Sequence, residues 1–366
     1  MFLAREGLAA LLSSLTEQGY RVIGPLVRDG AIVYDELAGV DHLPTGCSLD
    51  IRPGSVRLSR TGSPCCFAWA NGPQALKPLL FAPAEPLWRA TCDSDGRLGF
   101  EDVPPVIQPT AVIGVRACDL AALRLLDRHF LHGGCRDPHY AARRNALLLI
   151  AVNCTHPAPT CFCASTGDGP QVRDGYDLLL DELDEGFLIS AGSERGDAIL
   201  GGLSLEPAGD ERRARAAAAV REAGARQTRA IPAGDLFKPL FAQREHPRWN
   251  EVAKRCLACG NCTLVCPTCF CSREQEQPRL DGTGSTHVRE WDSCFSEGHS
   301  YIHGMVVRQQ TAHRYRQWLT HKLGGWHPQY GRSGCVGCGR CIAWCPVGID
   351  ITEEVNALLP GDGHAG

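Results

Sequence analysis

No stretch of this chain holds about 18 consecutive apolar residues, so a membrane-spanning helix is not expected. Nor is there a basic excess: 37 Lys and Arg stand against 41 Asp and Glu, which argues against a nucleic-acid binder. Lysine itself is scarce. Only Lys77, Lys238, Lys254 and Lys322 are lysines among the 37 cationic residues, a bias that reads as composition, although arginine also suits protein interfaces. A G-x-G-x-x-G after a strand and a G-x-x-x-x-G-K-[ST] loop are both missing, so no flavin, nicotinamide or ATP site is expected on this chain. No nucleophile–base arrangement stands out. Residues 1–20 lack a long apolar core and a small-residue cleavage site, and read as an amphipathic helix rather than a secretory leader.

What the chain has in excess is cysteine. Twenty cysteines, nine before residue 240 and eleven after it, exceed what packing needs. A secreted disulfide scaffold is one alternative, but such chains are short as a rule. With 366 residues and 44% apolar content, the chain has the size of an ordinary two-domain globular protein. A cytoplasmic protein with thiolates committed to metal is the expectation.

The expected fold class is α+β: an N-terminal α/β domain over residues 1–239, then a mostly helical domain over 240–366. Residues 20–26 and 31–34 suggest two short strands around the Arg28-Asp29-Gly30 turn. Residues 40–108 are rich in proline and glycine and read as irregular β structure. TAVIGV at 110–115 and NALLLIAV at 145–152 are buried strands, and residues 119–130 between them are an amphipathic helix. That is a βαβ unit, with parallel strands and a right-handed crossover. Residues 178–183 and 186–191 suggest a hairpin, and 210–225 an alanine- and arginine-rich helix. A long helical stretch is expected around 299–323.

Two cysteine runs carry the chemistry. Cys256, Cys259, Cys262 and Cys266-Pro267 read C-x2-C-x2-C-x3-C-P, and Cys335, Cys338, Cys341 and Cys345-Pro346 repeat it. Three thiolates two residues apart on a tight loop can hold three corners of one cubane, while the fourth reaches the other cluster. Cluster one is therefore assigned Cys256, Cys259, Cys262 and Cys345. Cluster two is assigned Cys335, Cys338, Cys341 and Cys266. Zinc sites also use C-x2-C pairs, but two complete runs with following prolines fit [4Fe–4S] clusters better. Cys266 and Cys335 are 69 positions apart, so the intervening segment must fold, as in an α-helical ferredoxin domain.

A third constellation lies upstream. Cys118 and Cys154 each follow a strand of the βαβ unit, at the carboxyl edge where open α/β sheets bind ligands. Cys161 and Cys163 in Thr160-Cys161-Phe162-Cys163 present two sulfurs to one side if extended. These four thiolates could hold a third [4Fe–4S] cluster, with Asp119 as a candidate oxygen ligand; the alternative is that they are buried small residues. The same Thr-Cys-Phe-Cys recurs at 268–271, and with Cys294 it leaves Cys269, Cys271 and Cys294 to form another site or to cap the domain interface. Cys47, Cys65, Cys66, Cys92 and Cys135 have no partner pattern. His299 and His303 stand at i, i+4, more in keeping with an ordinary helix than with a metal pair. Arg308, His313, Arg314, Arg316 and Lys322 make a basic stretch that reads as a solvated face or a docking surface for an acidic partner.

The stretches RVIGPLVRDGAIVYDEL, GVRACDLAALRLLD, AVNCTHPAPTCFCASTGDGP, CLACGNCTLVCPTCFC, VREWDSCFSEGH and RYRQWLTHKLGGWHPQYGRSGCVGCGRCIAWCPVGIDITEE resemble the β subunit of cytosolic NAD(P)-linked [NiFe] hydrogenases, also called sulfhydrogenases or sulfur reductases. The same family includes one of the subunits of anaerobic sulfite reductase. The likeness runs over most of the chain. It departs only at Ala164-Ser165-Thr166-Gly167, where the family usually has a methionine, and this touches no cysteine. The resemblance implies an electron relay. Its partners would be a separate subunit that binds flavin and NAD(P)H and, on the other side, the small and large subunits of a [NiFe] hydrogenase or another reductase core. An alternative from another class gives the N-terminal cluster sulfur or sulfite reductase chemistry of its own.

Overall fold

A computed structural model of the chain describes residues 1–70, 72–74 and 76–359. The N-terminal half is organised by a seven-stranded sheet, in the order Phe2–Ala4, Gly186–Ala191, Leu178–Leu183, Leu147–Val152, Thr110–Val115, Arg21–Arg28, Ala31–Glu36. Its four central strands are mutually parallel and its edge pairs antiparallel. Thr110–Val115 and Leu147–Val152 are buried at every position, as strands covered on both faces must be. The Ala117–Phe130 helix begins where the first of these ends, so the βαβ unit stands as read. One face of the sheet packs on the first helix, Gly7–Glu17, through Leu8, Leu11, Leu12 and Leu15; the other packs on Leu120, Leu123 and Leu126.

Helices gather toward the carboxyl end, and the α+β class holds. Two departures from the sequence reading have clear physical causes. Ser272–Pro278 and Gly284–Trp291 form an antiparallel hairpin that continues onto Ala84–Cys92 and Leu98–Asp102 as a four-stranded sheet. Its outer strand, SREQEQP, has no apolar residue, so hydrophobic periodicity carries no signal there. It pairs with Gly284–Trp291, and that strand is in turn held by Ala84–Cys92, nearly 200 positions away. The helix expected around 299–323 begins only at Thr311, runs to Thr320, and continues through a π-helical turn, His321–Gly325, into Trp326–Tyr330. Residues 301–306 instead make a small hairpin.

The four-stranded sheet is tied to the main body by a buried charge cluster. Glu85, 3% exposed, takes Arg143 at 2.7 Å, Arg289 at 2.5 Å and His139 Nδ1 at 3.0 Å. Burial pushes the Glu85 carboxyl up, but hydrogen bonds from Arg143 and Arg289 outweigh it and hold the pKa below the ordinary value. Its contribution is therefore complete above the unfolded carboxylate pKa of about 4.3 and disappears as pH falls through the folded value. Glu85→Gln leaves Arg143 without its carboxylate and Arg289 with Asp137 alone, and is expected to cost about 3 kcal/mol. Denaturant titrations at neutral and acidic pH should show that gap closing as pH falls; a gap independent of pH would count against it.

Candidate metal centres

The two cysteine runs fold alike. Cys256 follows the Arg248–Ala253 helix, and the loop turns through positive φ at Ala258 (+52°) and Gly260 (+73°) before a single helical turn, Asn261–Leu264. Gly337 (+62°) and Gly339 (+72°) do the same at matching positions ahead of Arg340–Ala343. These turns aim backbone N–H groups at sulfur. Ala258 N–H donates to Cys256 Sγ at 3.4 Å and Gly337 N–H to Cys335 Sγ at 3.5 Å, the kind of amide concavity that receives anions. Glycine is required at 337 for a second reason: a Cβ there would stand 2.5 Å from the Phe162 carbonyl and from Cys163 N.

The last cysteine of each run lies near the other run. Burial pushes the Cys262 thiol well above its usual pKa, and charge on Cys294, Cys256, Cys345 and Cys259 pushes the same way. Cys341 is raised by burial and then by Cys335, Cys338, Cys266 and Cys262. Cys345 lines one cavity with Cys256, Cys259 and Cys262, and charge on Cys266 bears on Cys335, Cys338 and Cys341. A small cavity of about 30 Å3 is bounded by the first set together with Cys341, Phe295 and Tyr315. The Tyr315 hydroxyl is buried and without a hydrogen-bond partner among the described residues.

The upstream cysteines also converge. Cys118 opens the Ala117–Phe130 helix, Cys154 follows the neighbouring parallel strand, and Cys163 opens a short helix, Cys163–Thr166. Cys161 is raised by burial and by Cys154, Cys163 and Cys338. Cys163, pushed up to about 12, is raised by burial and by Cys154, Cys338 and Asp168, against a hydrogen bond from Gln227. Cys118 is raised by burial and by Asp119, Cys163 and Cys338. The set is joined to the second run by Phe162 N–H, which donates to Gly337 O at 2.8 Å.

The donor chemistry suits iron–sulfur clusters. Every set is four sulfurs, the soft ligands of such clusters. Buried thiols with raised pKa values stay protonated at neutral pH unless a metal takes the sulfur as thiolate. Among the described residues no three His, Cys, Asp or Glu side chains converge tightly enough for a single ion, and a cubane spreads its ligands more widely than one ion does.

Some expectations are corrected. Asp119 is not a free oxygen donor: it pairs with Arg340 Nη1 at 2.7 Å, and both side chains are 1% exposed. His299 lies in a turn, Gly298–Ser300, and His303 in the tip of the next hairpin with φ +50°, so they do not share a helix face. The basic stretch is not one solvated face, because Arg314 and Lys322 are buried; Arg314 donates to the carbonyls of Phe295, Arg308 and Gln309. Of the cysteines with no partner pattern, Cys65 and Cys66 lie against Glu182 or Asp184, Cys47 is buried in the N-terminal core, and Cys135 is exposed. Arg340, Gln227 and the buried Lys77 and Lys322 border these sites without any local pattern that announces it. The scarcity of lysine was the one available signal.

Residues 255–349 match the family described as the 4Fe-4S dicluster domain. This stretch spans both runs, so the chain contains a [4Fe–4S] dicluster domain. The chain is 29% identical over 266 residues to "Sulfhydrogenase 2 subunit beta" of Pyrococcus furiosus, covering 68% of this chain and 74% of the relative. It is thus sulfhydrogenase-β-like, as the motifs implied. No solved structure matches.

Proposed function

We propose that this chain is the electron-transfer component of a cytoplasmic oxidoreductase complex. It relays electrons between a flavin- and NAD(P)H-binding partner and a [NiFe] hydrogenase or related reductase core. One observation carries the reading: Cys341 lines the same cavity as Cys256, Cys259, Cys262 and Cys345, while Cys338 packs against Cys118 and Cys163 and its carbonyl receives the Cys161 thiol. [4Fe–4S] clusters bound there would supply one-electron carriers. The ligands proposed are Cys256, Cys259, Cys262 and Cys345; Cys335, Cys338, Cys341 and Cys266; and Cys118, Cys154, Cys161 and Cys163. Residues 240–366 would hold the first two clusters and residues 1–239 the third.

The chain's own residues shape the sites in recognisable ways. Amides of Ala258, Gly337 and Ile349 donate to Cys256, Cys335 and Cys345 sulfurs, which stabilises negative charge on them. Arg340 places a buried cation between the second and third sets. Cys118, Cys161 and Cys163 are 4%, 5% and 6% exposed. That enclosure favours a relay over sulfur chemistry on a substrate at the third set.

Copurification from the native host tests the proposal. A flavoprotein and a reductase core should accompany the chain, and NAD(P)H should bleach its visible absorption only with the flavoprotein present. Bleaching by NAD(P)H with the chain alone, or purification without either partner, would overturn it. Cys118→Ala, a small and helix-compatible change, is expected to remove about four irons per chain. Equal iron in wild type and variant would eliminate the third cluster.

A further inference from the structure

Cys269, Cys271 and Cys294 belong to none of the three sets, yet they meet. Asp292 N–H donates to Cys271 O at 2.8 Å, which brings the 292–294 segment onto the second Thr-Cys-Phe-Cys. All three cysteines line one cavity of about 90 Å3, with His299, His321 and Lys322. Cys269 and Cys294 are each 8% exposed. The arrangement parallels the third set. There, Thr160-Cys161-Phe162-Cys163 packs backbone to backbone on the positive-φ glycines of the second run. Here, Ser293 packs on the matching glycine of the first run: a Cβ on Gly260 would lie 2.8 Å from Ser293 Oγ.

Charge points the same way. Lys77 and Lys322, half of the chain's lysines, are 5% and 4% exposed, a burial rare without an anionic partner. Lys322 Nζ donates to Thr268 Oγ1 at 2.9 Å, and Lys77 Nζ to the carbonyls of Thr263, Leu264 and Cys269 at 3.0–3.4 Å. Neither meets a carboxylate among the described residues. The negative charge that matches them is on sulfur. The indole N–H groups of Trp318 and Trp326, which line the same cavity, are buried and without partners among the described residues. His299 Nδ1 stands 3.3 Å from Asp292 Oδ2, the carboxylate contact that orients a metal-binding imidazole through its other nitrogen.

The geometry points to a fourth iron–sulfur cluster, held by Cys269, Cys271 and Cys294 with His299 as the fourth ligand, flanking the first and second sets. It rests on the reading that this chain carries [4Fe–4S] clusters. Ser293, next to Cys294, packs on Gly260 of the first run, and Cys269 lies against Cys266, so the site adjoins both ferredoxin runs.

The test is iron and acid-labile sulfide per full-length chain after anaerobic reconstitution, with EPR of the dithionite-reduced protein. Wild type should bind about sixteen irons, and Cys294→Ala and Cys271→Ala about twelve each, with far-UV circular dichroism unchanged. Cys338→Ser serves as the reference. If it loses iron while Cys294→Ala and Cys271→Ala do not, the fourth cluster is excluded and the relay reading stands. If wild type binds no iron, both fail. One zinc at this site in place of iron and sulfide also overturns the cluster. His299→Ala should keep the iron and change one EPR signal and its midpoint potential; the same change in His321→Ala, with none in His299→Ala, would remove His299 as the ligand.

Discussion

Cys338→Ser is expected to lower bound iron by about four atoms per chain and to abolish NAD(P)H-linked electron transfer through the assembled complex. The position is singular among the cysteines. Its charge bears on Cys341 within its own set and on Cys118, Cys161 and Cys163 of the upstream set, and its carbonyl receives the Cys161 thiol at 3.7 Å. Electrons crossing from the first set to the third must pass this residue's neighbourhood. Serine keeps the volume and the polar character, so the fold has no reason to fail. The seven-stranded sheet owes its core to leucines, isoleucines and valines remote from residue 338. Unchanged iron, or full turnover with iron lost, would contradict the assignment.

The second large effect is at the buried ion pair. Arg340→Met leaves Asp119 with a carboxylate 1% exposed and no compensating cation, which should cost about 3–5 kcal/mol. Asp119→Leu with Arg340→Met removes both charges, and most of that loss should return, since buried pairs replaced by apolar groups are often neutral or better. Redox titration separates charge from packing. Arg340 favours the more negative, reduced state of its neighbours, so Arg340→Met should lower the midpoint potential of the second or third cluster, and the double variant should lie nearer wild type. An unshifted potential in Arg340→Met would show that the pair acts on structure alone.

The parts of this chain that local spacing governs were legible without coordinates. Three residues separate the third and fourth cysteines of each run, and that count decides that the fourth cannot close its own loop. The proposed crossing of Cys266 and Cys345 rests on that count. The buried strands at 110–115 and 147–152 were legible because a two-sided burial demands an unbroken apolar run. The hairpin at 272–291 was not, since its outer strand of Ser, Arg, Glu and Gln carries no apolar signal and its inner strand is held by Ala84–Cys92, far away in the chain. The helix at 311 was overextended to 299 because Gly298, Gly304 and the turn at His303 interrupt an otherwise plausible periodicity.

The amino-acid order by itself determined the ferredoxin chemistry, because consecutive ligands on one loop are held by covalent reach and need little from the rest of the molecule. Tertiary structure alone decided the rest: that Asp119 answers to Arg340, that two of four lysines are buried among sulfurs, and that Cys294 meets Cys269 and Cys271. Those meetings join segments dozens to hundreds of residues apart. They exist only after packing has offset the entropy of closing such loops, which no local pattern records.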